Sequence, residues 1–408
     1  MSFRIFEVKS AADKKAFIRF PKQLYRHDPN WVCPLDSEVE AVFDPRKNPS
    51  FRHGEAARFL LAGSDGNIAG RVAVFIDYVR SAANSQPTGG LGYFEVIENR
   101  EAAFMLFDTA KEWLAARGME AMDGPINFGE NDVNWGLLVE GFMQQGFGMP
   151  YNKEYYRHFF EEYGFNKYFE QYSYHREVRG PDNKIVMFPE RMVKIAEWLS
   201  KRQGYSFSHF EKRNSEKYID DLVEVYNATW SVYKEDFTPL EKDFLRETLN
   251  KTKAFMDEEL IWFAYFRERP VAFFILYPDL NQILKHLNGR LHPLNIIRFF
   301  CYKATHEMTR MRAIVGGVNP SHQNSGIESA IFLQLYNVFK RKKWYRELEL
   351  SWVGDFNPRM IAIYEALGAQ RAKTHYTYRY MINSKIPFVR YREEIAAALH
   401  RKQGKKNL

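Results

Sequence analysis

Cysteine is nearly absent from this chain, with two in 408 residues. Cys33 and Cys301 are far apart, supply no disulfide framework or metal-ligand spacing, and fit a reducing compartment. No bound metal is expected. Long apolar runs are missing too: no stretch approaches the ~20 residues a membrane helix needs. The opening segment Met1-Ser2-Phe3-Arg4-Ile5-Phe6-Glu7 lacks the apolar core of a signal peptide. A cytoplasmic chain is expected, with peripheral contact at the inner membrane face left open. Nucleic-acid motifs are missing and the basic residues are scattered, so no nucleic-acid partner is expected.

Hydrophobic residues make up 45% of the sequence and aromatics 16%, enough to bury large cores. At 408 residues, two domains are the natural expectation. The formal charge of +7 admits an acidic partner such as CoA, anionic lipid or nucleic acid. A solvated basic surface explains the same charge.

In order, Phe3–Val8 reads as a strand and Ala11–Tyr25 as a helix. Asp28–Pro34 holds two prolines and is placed in an ordered loop. Phe59–Ala62 and Ile68–Phe75 form a hairpin around Ser64-Asp65-Gly66-Asn67. Gly92–Val96 is a strand, Glu101–Ala116 a helix, and Met122–Ile126 a short strand. The loop Asn127–Asp132 with Trp135 is polar and aromatic and is given no chemistry. Pro189–Ser200 is an amphipathic connecting helix. Tyr205–Phe210, Tyr218–Trp230 and the hairpin Leu260–Phe266 with Val271–Tyr277 repeat the opening order of elements.

A helical run after Asn152 stops at Gly164, and eight residues later stands Tyr172-Ser173-Tyr174. A second run after Asn357 stops at Gly368, and eight residues later stands Tyr376-Thr377-Tyr378. The shared offset of 204 residues reads as an internal duplication. Between hairpin and strand in the second half lies an insertion with Pro293, Leu294, Ile297, Phe300 and Cys301. It reads either as a lid, acyl-chain wall or membrane-surface contact, or as a helix packed on the other domain. The last residues, Arg401 to Lys406, read as a basic solvated terminus.

The chemistry concentrates between Arg312 and Gly368. Ala313–Val318 is a buried strand, followed by the glycine-containing loop Asn319–Gly326 and a helix carrying Ile327, Ile331, Leu335 and Val338 on one face. Free N–H groups and the dipole at that helix start suit a pyrophosphate. In the N-terminal half the corresponding place holds Glu98-Asn99-Arg100-Glu101, with no glycine and two carboxylates that oppose phosphate. A strand Glu347–Val353 follows the second-half helix, with Glu349 and Ser351 on one face and Leu348 and Leu350 on the other. Asn357 before Pro358 has the form of a helix N-cap. Ser325-x-x-Glu328 has the form of a capping box, which also sets a carboxylate beside the phosphate position.

Gln323-x-x-Gly326 after Val318 resembles the pyrophosphate loop of the GNAT acyltransferases. Asn357 with Ile361, Tyr364 and Gly368 is similar to that superfamily's second motif. Beyond the superfamily, Asp28-Pro29-Asn30-Trp31-Val32, Gly124-Pro125-Ile126-Asn127 and Glu349-Leu350-Ser351-Trp352 resemble a bacterial tandem-GNAT group that includes ceramide-forming N-acyltransferases. The resemblance implies mixed α/β domains with largely antiparallel sheets flanked by helices, two in tandem. Residues 1–180 form an N-terminal copy without a CoA site, 181–203 a connector, 204–384 a copy that binds acyl-CoA, and 385–408 a basic tail. It implies acetyl-CoA or a longer acyl-CoA as co-substrate, held by Val318, Gln323, Asn324, Ser325, Gly326, Ile327 and Asn357. The acceptor is an amine, of which a lipid or long-chain amine is one class. Transfer needs a base, an oxyanion donor and a group for the leaving thiolate. Glu349 is the candidate base, with His322 a second choice, or Glu349 is an exposed strand residue. Backbone N–H groups of Val315–Val318 suit the oxyanion. Tyr364 serves the thiolate or is a half-buried helix aromatic. The alternative function is a non-catalytic GNAT-fold protein that binds an acyl carrier or a protein partner.

Overall fold

In the N-terminal half the chain forms β1 (Phe3–Glu7), α1 (Ala11–Leu24), α2 (Asp36–Val42), β2 (Gly54–Gly63), β3 (Ile68–Asp77), α3 (Tyr78–Ala83), β4 (Thr88–Val96), α4 (Arg100–Ala115), β5 (Ala121–Gly124), β6 (Leu137–Glu140), α5 (Tyr156–Tyr163) and β7 (Asn166–Glu177). The connecting helix is α6 (Glu190–Ser200). The second half forms β8 (Tyr205–His209), α7 (Ser215–Trp230), α8 (Lys242–Thr252), β9 (Ile261–Phe266), β10 (Arg269–Pro278), α9 (Asn281–Leu284), α10 (Pro293–Ala304), β11 (Arg310–Val318), α11 (Ile327–Arg341), β12 (Glu347–Gly354), α12 (Pro358–Ala366) and β13 (Gln370–Met381). The computed structural model describes residues 2–129, 133–231 and 239–397. Glu130 to Asp132 of the polar loop and the basic terminus Arg401 to Lys406 lie outside the described residues.

The strands of both halves join in one 13-stranded sheet, in the order β1-β2-β3-β4-β5-β13-β7-β12-β11-β10-β9-β8, with β6 also on β13. Nearly all pairs are antiparallel; β4–β5 and β11–β12 are parallel. β3 is buried along almost its whole length because helices cover both its faces. Leu106 and Ala110 of α4 share a core with Val72 and Val74, while Phe17 of α1 packs with Leu60 and Ala73 on the opposite side. In the second half Ile331 and Leu335 of α11 pack with Leu348 and Leu350 of β12. This is the face assignment expected from the strand's alternation.

β7 and β13, the two segments related by the offset of 204 residues, pair with each other antiparallel, with Tyr172 opposite Thr374. Each then completes the other half. β13 lies against β5, and Tyr376 and Tyr378 enter the N-terminal core. β7 lies against β12, and Tyr174 enters the C-terminal core. Gly164 and Gly368 end the preceding helices with φ of 106° and 75°, a left-handed conformation that costs glycine little. Among the described residues no helix is long and apolar enough to cross a membrane.

The strand exchange predicts that the halves are not separable. Ending the chain at Ala369 removes Tyr376 and Tyr378 from the N-terminal core, and large-to-small loss at one such site costs about 3–5 kcal/mol. The shortened chain is expected to lose its cooperative thermal transition in circular dichroism. A retained N-terminal transition near the full-length temperature would contradict the exchange.

Candidate active site

β11 and β12 run together only from Arg310 opposite Glu347 to Ala313 opposite Leu350. Beyond that point they part. β11 stays paired with β10 on its other edge as far as Val318, through a bulge where Ile275 meets Val315 and Leu276 meets Ala313. Backbone groups of Ile314–Val318 that point toward β12 therefore face a gap. Tyr364 of α12 stands at that parting, donating its hydroxyl to the Ser351 carbonyl at 3.1 Å. Burial pushes the Tyr364 hydroxyl up from its ordinary value, so it stays protonated.

The loop after β11 leads to the start of α11. Asn324 and Gly326 have φ of 62° and 89°, and the Gln323 amide donates to the Val318 carbonyl at 3.3 Å. Gly326 is the N-cap and has no side chain to close the first turn. The expected capping box does not form. The Ser325 hydroxyl donates instead to the His322 carbonyl at 2.6 Å, because the glycine displaces serine from the cap position. Glu328 pairs with Arg359 of α12 at 3.2 Å, and Arg359 also donates to the Gln323 side chain. The carboxylate beside the loop thus has a cation of its own. Asn357 takes the cap role its position suggests, accepting from the Met360 N–H at 3.2 Å.

The equivalent place in the first half is closed. β4 and β5 also part after Gly90 opposite Asp123, but the Ile126 N–H donates across the gap to Leu91 at 2.8 Å. A Cβ on Gly92 would stand 1.9 Å from the Ile126 carbonyl oxygen, so the approach requires glycine. Tyr156, fully buried, accepts from the Val96 N–H at 2.8 Å, and Tyr155 donates to the Val96 carbonyl at 2.8 Å. Asn99 caps α4 through the Ala102 N–H at 2.9 Å.

On the sheet face opposite α11 lies a buried charged centre. Glu349 is 2% exposed, bonds Lys373 of β13 at 2.7 Å and stands 3.5 Å from Arg310 of β11. Burial alone would raise its carboxyl, but Lys373 and then Arg310 outweigh that and hold it at about 2. Arg310 also pairs with Asp279, and Arg312 donates to Ser351 at 2.6 Å. His375, next but one to Lys373, is buried and pushed down to about 4 by that burial and by the lysine. Its Nε2 faces the Pro150 carbonyl at 3.4 Å, which requires the proton there and leaves Nδ1 as acceptor. Trp135, Pro150, Gln171, Arg312, Trp352 and His375 line a small cavity at this centre.

Val318, Gln323, Asn324, Ser325, Gly326, Ile327, Asn357 and Tyr364 therefore border the parted strands and the loop beyond them. Glu349 stands apart on the opposite face, and both expectations for it are corrected. It is not exposed, and a carboxylate held near 2 by two cations is a poor base. His322 packs on Phe266 and bonds the Ser321 hydroxyl, away from the centre. Arg310, Arg312, Lys373 and His375 were missed. The one signal for them is charge at alternate positions of strands that should be buried. The insertion is corrected in part. Phe299 and Tyr302 pack inward as the docked-helix reading expects, while Leu294, Ile297 and Phe300 are exposed.

The fold is that of tandem GNAT proteins. A tandem GNAT protein from the clavulanic acid biosynthesis pathway superposes with a TM-score of 0.55 over 95% of this chain and 100% of its own, at 10% identity. A glucosamine N-acetyltransferase region of a fungal multi-domain β-N-acetylglucosaminidase superposes at 0.54, over 93% of this chain and 38% of the other, at 11% identity. In sequence the chain is similar to bacterial ceramide synthase of Caulobacter vibrioides, at 28% identity over 383 residues, covering 92% of this chain and 96% of the relative. It is also similar to protein YghO of Escherichia coli, at 27% over 375 residues, covering 91% and 93%. No protein-family model matches.

The charged centre carries a pH signature. Glu349 titrates below its ordinary 4.5 in the fold, so its pairing contributes stability that is complete above 4.5 and lost as pH falls toward about 2. Urea unfolding of the native chain and of Glu349→Gln should show a gap in stability that narrows across that window. A gap independent of pH would mean the carboxylate is not held by its cations.

Proposed function

We propose that this chain is an acyl-CoA-dependent N-acyltransferase whose second half, residues 204–384, holds the thioester. The observation that carries the reading is the parting of β11 from β12 beside an α11 start without a capping side chain. A thioester arm laid in that gap would find backbone N–H groups for its carbonyl oxygen and the Tyr364 hydroxyl at its sulfur. Because Tyr364 holds its proton tightly, it would stabilise the leaving thiolate as a hydrogen-bond donor. The pyrophosphate would lie at the α11 start, with Arg359 offsetting the Glu328 charge.

The acceptor amine would approach between Trp135 and Trp352, where the cavity, about the size of one water molecule, must widen to admit it. There His375, neutral and with Nδ1 left as acceptor in the tautomer its Pro150 contact sets, would accept a hydrogen bond from the uncharged amine and orient it, a task the ion-paired Glu349 does not share. Glu349 then holds Arg310 and Lys373 in position. The first half, residues 1–180, lacks an open gap and contributes the acceptor-side loop through Gly146, where a Cβ would lie 3.2 Å from Arg312 and 3.4 Å from Glu349. The similarity to a ceramide synthase supports a lipid or long-chain amine as acceptor. Such a substrate would bring the chain to a membrane as a peripheral protein.

Calorimetric titration tests the cofactor half of this reading. CoA and a long-chain acyl-CoA are both expected to bind, the latter more tightly, and Arg359→Glu should weaken both by about tenfold or more, as loss of a charge-assisted contact would. Absence of binding to the native chain would overturn the enzyme reading. With a long-chain base as acceptor, Tyr364→Phe and His375→Gln should each lower turnover by roughly 10²-fold while leaving CoA affinity unchanged.

A further inference from the structure

The insertion between β10 and β11 turns an apolar face to solvent. Leu294, Ile297 and Phe300 recur every three residues along α10 and are 66%, 60% and 52% exposed, with Leu291 just before the helix and Ile296 on its flank. The helix is held rigidly from beneath. Phe299 and Tyr302 pack on a core of Ile283, Leu284 and Leu287, and the buried Asn295 donates to the carbonyls of Leu287 and Arg290 at 3.1 and 2.8 Å. A face so firmly presented is not a frayed end of the fold.

Beside it runs a basic groove of about 810 Å³ formed by α1 and the turn before α10. Lys14, Lys15, Arg19, Lys22, Arg26 and Arg290 line it, against the carboxylates Asp36 and Glu40. Both carboxylates are already paired: Asp36 with Lys22 at 2.6 Å, and Glu40 with Arg58 at 3.0 Å. Lys22 also donates to the Asn288 carbonyl at 3.1 Å, and the Asp36 N–H donates to Gly289 at 2.8 Å. The turn that leads into α10 is thereby tied to the groove, with Arg290 lining the groove and Leu291 beginning the exposed apolar residues.

We infer that α10 and the exposed side of α1 form a docking surface for an anionic lipid bilayer. The apolar stripe enters the acyl boundary while Lys14, Lys15, Arg19, Arg26 and Arg290 meet the lipid phosphates. Charge chooses this occupant over a second copy of the chain, because a two-fold contact through this face would bring the same cations toward one another. The surface deepens the lipid-acceptor reading without resting on it. Asn281 of α9, whose Ile283 and Leu284 lie under α10, donates to the Gln145 carbonyl at 3.1 Å, and Asp279 accepts from the Phe147 N–H at 2.9 Å. The docking platform is thus bonded to the loop that covers Arg312 and Glu349.

The test is flotation of the full chain with vesicles of phosphatidylcholine alone and of phosphatidylcholine and phosphatidylglycerol in equal parts. Binding is expected to the anionic vesicles only and to fall as salt is raised. Lys14→Glu with Arg19→Glu should lower partitioning by well over tenfold, since each cation near such a surface is worth roughly fivefold. Leu294→Ser with Ile297→Ser should lower it comparably without changing the thermal transition. The inference fails if the native chain ignores anionic vesicles, if the variants bind as it does, or if Leu294→Ser merely converts a dimer to a monomer. CoA titration of the same variants separates the two readings: docking without CoA binding removes the enzyme reading alone, and CoA binding without docking removes this one alone.

Discussion

The contact between Glu349 and Lys373 is the constraint around which the molecule closes. Glu349 sits on β12, Lys373 on β13, Arg310 on β11, and Asp279 at the end of β10, so four successive strands of the second half are tied through side chains. β13 at the same time completes the first half against β5. A buried carboxylate without partners would be strongly disfavoured, and removing one partner of such a pair costs several kcal/mol. Strand exchange, loop placement and the seat of the insertion all pass through this one polar centre. Its burial explains why Glu349 is unsuited to proton transfer: a group fixed so firmly in its ionised form has little drive to accept a proton.

The two halves show how one fold diverges. Each has a parallel pair that parts after three or four residues, and each places a tyrosine-bearing helix at the parting. In the first half Tyr155 and Tyr156 bond the backbone of Val96 and Asn99 caps the following helix, so the groups that would meet a ligand are satisfied internally. In the second half Gly326 occupies the cap position, and Tyr364 bonds Ser351 on the far strand instead of β11. The halves thus differ in whether the helix tyrosines bond the backbone of the near strand, as Tyr155 and Tyr156 do, or of the far one, as Tyr364 does.

Local signals were legible. Asn357 followed by proline, glycines ending helices before a strand, and the alternation of Leu348, Glu349 and Leu350 each have a short-range physical cause, and each was realised. The offset of 204 residues pointed to β7 and β13 without revealing that they pair with each other, since pairing depends on contacts far apart in sequence. Ser325 and Glu328 matched the spacing of a capping box, but the intervening Gly326 took the cap, and Glu328 found Arg359 thirty-one residues away. Lys373 and His375 were hidden because a strand carrying alternate polar residues reads as half-exposed. Only the exchanged position of β13, covered on both faces, makes those residues interior.

The charged centre is separated from solvent by the loop through Gly146 and Gly148, which packs against Arg312 and Glu349. Asp279 joins this loop to the insertion by accepting from Phe147 while pairing with Arg310. α10 and the cover of the cavity are therefore joined by direct contacts, through α9 and the loop between them. The insertion, which the simplest version of the fold would replace with a turn, supplies both the exposed stripe and the carboxylate that anchors the charged centre.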